Sequence, residues 1–254
     1  MSGSREATDR NHDGGRAPSS GAWQAQREVV GAKRHFGNGP LSQGAAFIYT
    51  LLVVELLILL TTLPGFVPLV LLAADRSNIP LFAACAIPLG PALSAALYAL
   101  RHRSDDLTEL HPAAAFWRGY RLNFLASLRI WVPCLVWLTL IGMSLANFGA
   151  AGVPGWWAGL LIAVGIVVTL WLGNALVITS LFAFRTIDIA RLALLFLGRA
   201  PGVTLGNACL LVLTGLLTAA TSEAVVALLG SIFALLLLLT SRPMINKIRE
   251  EFTV

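Results

Sequence analysis

Long apolar runs separated by short polar stretches dominate the chain, and their lengths set the architecture. The first covers residues 45–72, a polar link follows at 75–78, and a second run covers 79–100. Further runs lie at 130–150, 156–183, 203–220 and 224–240. A helix rises about 1.5 Å per residue, so roughly 20 apolar residues cross the hydrocarbon of a bilayer. The pattern therefore predicts an all-α polytopic membrane fold with six transmembrane helices. Pro64, Gly65 and Pro68 predict a kink or break in the outer part of the first span, and Pro88 and Pro91 a bend in the second.

Between the spans the periodicity changes. In the link 101–129, Trp117, Tyr120 and Phe124 recur at i, i+3 and i+7, with Arg118 and Arg121 nearby. Such a segment is expected to lie along the headgroups, rings inward and guanidinium groups toward phosphate. Residues 186–198, flanked by Arg185 and Arg199, read as a second amphipathic surface helix. Residues 1–43 are rich in Gly, Ser and Arg and carry no sustained period, so they are expected to form a disordered tail. The remaining divisions are a membrane domain over 44–243 and a short charged tail over 244–254.

Composition narrows the class. Hydrophobic residues make up 57% of the chain and charged ones 12%, half the roughly 25% of an ordinary soluble domain. Charge placement then gives an orientation. With six spans, 17 of the 18 Lys and Arg fall on one side and only Arg76 on the other. Cytoplasmic loops carry such an excess, so both termini are expected in the cytoplasm. Every basic cluster abuts a span, which speaks for topology rather than nucleic-acid binding. Cys85, Cys134 and Cys209 all sit inside apolar runs and read as small buried hydrophobes.

Candidate chemistry is sparse. Glu55 is the one ionisable residue deep within a span. The nine aliphatic residues around it contribute roughly −3 to −5 kcal/mol to insertion, enough to offset about 3 for one acid. Two readings stand: a carboxyl in a proton or ion pathway, or a hydrogen-bonded packing residue. In the second span, Gly90 with Ser94 and Ala92 with Ala96 are small residues four apart, a spacing that admits another helix closely. That helix is expected within the same bundle, or in a partner or second copy. His102 and His111 share a link with Asp105, Asp106 and Glu109 but read as solvated rather than metal-binding. No Walker loop, dinucleotide fingerprint, nucleophile elbow or His-Glu-x-x-His motif occurs, so neither an enzyme, a cofactor nor a metal is expected.

The segment Gly90–Tyr98 (G-P-A-L-S-A-A-L-Y), followed by Phe116–Phe124 (F-W-R-G-Y-R-L-N-F), resembles the YesL-like family of bacterial integral membrane proteins, a domain of unknown function. Pro91, Ala92, Tyr98, Trp117, Arg118, Asn123 and Phe124 carry the resemblance, which is strong over about 40 residues. The family joins its first two spans by a very short link; here the stretch 64–89 is longer, and the N-terminal tail is extra. The resemblance implies a multi-pass protein of the bacterial plasma membrane, an accessory to carbohydrate uptake with an ABC-type permease, or itself, as partner. It supplies no catalytic residues. The alternative is a small secondary transporter or channel that uses Glu55.

Overall fold

The computed structural model describes residues 40–72, 75–103, 111–221 and 223–252. The expected tail therefore lies outside the described residues up to its last four, and so do Asp105, Asp106 and Glu109. The described residues form ten α-helices, in order α1 (Pro40–Leu71), α2 (Ile79–Cys85), α3 (Leu89–Arg101), α4 (Pro112–Ala146), α5 (Trp156–Leu181), α6 (Thr186–Arg199), α7 (Pro201–Ala220), α8 (Glu223–Ala227), α9 (Gly230–Thr240) and α10 (Arg242–Phe252), with short 3-10 turns at Arg76–Asn78 and Phe148–Ala150. No strand occurs among the described residues.

Among the described residues, five elements are long and apolar enough to cross a membrane: α1, the α2–α3 pair, α4, α5 and α7. At 11 residues, α9 reaches only about 16 Å and needs a neighbour to make a sixth. It meets α10 at a 50° bend, but five of the eleven residues of α10 are charged. On the other side, the turn at Leu228 and Leu229 joins it to α8, whose one charged residue is Glu223. Charge thus favours α8–α9 as the sixth crossing, matching the run at 224–240 but broken in its outer part.

The two ends of the bundle are distinct. Thr50 near the start of α1, the end of α3 and the start of α4 share one cavity; Phe182 after α5 lies with Arg101 and Arg249 of α10 in another. At the far end, Phe66 of α1, Phe82 of α2, Thr214 of α7, Val226 of α8 and Gly230 of α9 line a third. Successive spans therefore alternate in direction, and arginines collect at the first end. An ion pair between Arg199 and Glu251, 3.7 Å, ties the end of α6 to α10 there, though both groups are exposed and the pair stabilises little. At the opposite end Trp156 and Trp157 are exposed and stacked, 4.6 Å apart, as interfacial anchors are.

Local chemistry explains the boundaries. The second span is interrupted at residues 86–88, where Pro88 cannot donate to the ladder, and Trp131 Nε1 of α4 donates to Ala86 O there, 2.9 Å away. Pro112 and Pro201 open α4 and α7, where a missing N–H costs nothing. Asp188 in the first turn of α6 and Arg199 in the last complement its dipole. Deeper in the bundle, Asn207 of α7 donates to Asn174 of α5 at 3.0 Å, both side chains buried. Such bonds average about 0.6 kcal/mol within a bilayer, so this one serves register more than stability.

Four expectations change. Cys209 of α7, expected as a small buried hydrophobe like Cys134, is exposed on the outside of the bundle. Of the kink or break expected at Pro64 and Pro68, the break does not occur: helix α1 runs continuously through both. The surface segment around Trp117 and the third span are one helix, 35 residues long, not two elements. The tail after Pro243 is helical: Met244, Ile245 and Ile248 form its buried face against the bundle, with the charged residues outward.

Candidate functional site

Glu55 lies near the middle of α1, and its partner comes from the other end of the chain. Its Oε2 accepts the backbone N–H of Ser231 at 2.6 Å. Ser231 is the second residue of α9, so this N–H is one of those a helix start leaves without an internal acceptor. In hydrocarbon an unpaired N–H costs several kcal/mol. An acid on a neighbouring helix thus does what an N-cap side chain does in water, and Leu229 at the N-cap position makes no side-chain bond of its own. Gly230 lies alongside: a Cβ there would sit 3.5 Å from Glu55 Oε1, in ordinary van der Waals contact, so the approach does not depend on glycine. That second oxygen is buried and has no hydrogen-bond partner among the described residues.

Beside Gly230 opens the far-end cavity, about 480 Å³, with walls of Ile58, Leu59, Phe66, Phe82, Leu93 and Phe233. Thr62 and Thr214 line it too, but each hydroxyl is already bonded to a carbonyl of its own helix. A sugar needs several convergent polar groups, and this lining offers almost none. The space suits an aliphatic chain.

The small residues of α3 face inward. Gly90, Pro91, Ala92, Ser94 and Ala96 are all buried. Gly90 abuts the Trp131 ring of α4 so closely that a Cβ would overlap it, and a Cβ on Gly119 of α4 would come 2.7 Å from Tyr98 Cβ. Of the two readings, packing within the bundle is the observed one. Ser94 Oγ is buried without a partner among the described residues. Tyr98, half-buried, stacks on His102 at 4.2 Å.

On α4 the motif splits between two faces. Phe116 and Gly119 are buried against the bundle, whereas Trp117 is 40% exposed and Arg118 and Arg121 are exposed. Tyr120 bridges them, its ring 5.6 Å from Trp117 and 5.4 Å from Phe124. Asn123 Nδ2 donates to Ser180 O of α5, 3.3 Å, and so satisfies a carbonyl in that helix's last turn. Among the described residues no three His, Cys, Asp or Glu converge on a point that could hold a metal.

The sequence could not reveal the Ser231 contact, since the partners are 176 residues apart. The docked C-terminal helix did leave a signal. Met244, Ile245, Ile248 and Phe252 recur at helical spacing among five charges.

No curated protein and no solved structure matches the chain. Residues 51–145, which hold Glu55, the inward-facing α3 and nearly all of α4, match the family model described as a protein of unknown function, DUF624, the domain that YesL-like proteins carry.

Proposed function

We propose that the protein is a non-enzymatic accessory component of a carbohydrate-uptake system in the bacterial plasma membrane, with its basic end in the cytoplasm. The observation that carries this reading is the two-faced motif of α4. On its inner face Phe116 is buried and Gly119 packs against Tyr98 of α3, while Trp117, Arg118 and Arg121 stand outward on a rigid support. Trp and Arg on a preorganised surface are the residues that dominate protein interfaces. The partner we assign is an ABC-type permease, which the YesL-like resemblance implies.

A tagged copy extracted in mild detergent from its native membrane is expected to bring a permease with it. Combining Trp117→Ala, Arg118→Glu and Arg121→Glu should lower that yield at least about ten-fold, with the protein's own membrane level unchanged. Deleting the gene should also reduce sugar uptake. Isolation without a partner, together with normal uptake, would remove the reading.

A second reading, a small transporter or channel, draws on Glu55 Oε1, buried and without a partner among the described residues at the start of a short helix. It requires a solute or proton flux in reconstituted vesicles that Glu55→Gln abolishes. Flux equal in the variant and the native protein, or none in either, excludes it.

A further inference from the structure

We propose that the cleft between α1, α3, α9 and α10, at the basic end, is a binding site for an anionic phospholipid of the surrounding bilayer. The cavity measures about 570 Å³. Arg101 and Arg103 enter it from the end of α3, and Arg242 and Asn246 from the first turns of α10. Among the described residues, none that lines it is acidic. Arg103 is steadied over the Phe47 ring of α1, 4.8 Å from its centroid. The guanidinium groups arrive from two elements, and a phosphodiester can accept forked hydrogen bonds from more than one of them.

The lower wall decides the kind of ligand. Leu235, Leu238 and Leu239 of α9 line the same cavity at i, i+3 and i+4, on one face of that helix, and Arg242 opens α10 just past the bend. Charge at the rim and aliphatic side chains below describe an amphiphile standing along the helix, phosphate uppermost. A soluble phosphate would use only the rim. The 50° bend between α9 and α10 sets the two walls at an angle. Basic pockets between transmembrane helices at the level of the headgroups bind lipids in this way.

The test uses the full chain purified in an uncharged detergent, with its thermal midpoint followed as phosphatidylglycerol, phosphatidylcholine or inorganic phosphate is added. Phosphatidylglycerol is expected to raise the midpoint saturably, and the other two to leave it in place. Arg101→Gln and Arg242→Gln should each weaken the apparent affinity about five-fold, and the pair about 25-fold. Arg185→Gln, outside the cavity, should titrate like the native protein. Should the double variant not fold, Arg101→Lys with Arg242→Lys keeps the charge, loses the fork, and is expected to fall between. Equal stabilisation by phosphatidylcholine would make this an unspecific detergent effect and overturn the proposal. So would a shift reproduced by inorganic phosphate alone, which would mean a soluble-anion site, or variants that titrate like the native chain.

Discussion

Alanine at Gly65 is expected to lower the thermal midpoint in mild detergent by about 6–12 °C, the effect of roughly 3 kcal/mol in a chain of this size. The cause is steric. The Cβ of any larger residue at this position would overlap the carbonyl group of Cys85, where α1 passes the end of α2. A flexible side chain could turn aside, but a backbone carbonyl within a helix moves only with its helix, so α1 and α2 must separate. The matching control is Gly215→Ala on α7, where nothing lies within 4 Å of the new Cβ. There the midpoint should hold or rise slightly, because alanine loses less chain entropy on folding. Equal midpoints for the two variants would show that α1 and α2 do not approach this closely.

Glu55→Leu is expected to cost about 2 kcal/mol, or roughly 4–8 °C in midpoint, because the Ser231 N–H loses its acceptor. Two effects oppose one another here. Leucine makes α1 itself easier to insert, by about 3 kcal/mol on the insertion scale. That gain, however, is already present once α1 has inserted, before the helices pack, and so does not reach the packing equilibrium that the midpoint reports. Glu55→Gln keeps an oxygen where Oε2 stands and should stay within about 2 °C of the native protein. Hydrogen exchange at the Ser231 amide should accelerate in the leucine variant and not in the glutamine one. If glutamine proved as damaging as leucine, the contact would depend on more than an acceptor. A normal midpoint with flux lost would instead favour the transporter reading.

These residues also mark how far the sequence could be read. The spans were legible because apolar runs of twenty or more residues have few other uses, and Pro88 announced the interruption between α2 and α3. Gly65 misled in an instructive way. Between two prolines it reads as a breaker, yet the helix persists and the missing side chain serves a close crossing. The joining of the Trp117 segment to the third span was hidden by Arg129, which looks like a loop residue but sits exposed on a continuous helix. The small residues of α3 carried the spacing for close packing but not the direction they face. Glu55 could be recognised as an unusual acid. Its role rested on a contact made only in the folded bundle.

The unbroken α4 has a mechanical consequence. Its 35 residues extend about 52 Å, some 20 Å more than the hydrocarbon it has to cross. The surplus either projects from the membrane or is absorbed by tilt, and in both cases Trp117 and Trp137 ride on the same rod. A push on the basic end is therefore transmitted toward the opposite leaflet as rotation of a stiff beam. Its weakest point is Pro133, which lacks the N–H that would close the preceding turn.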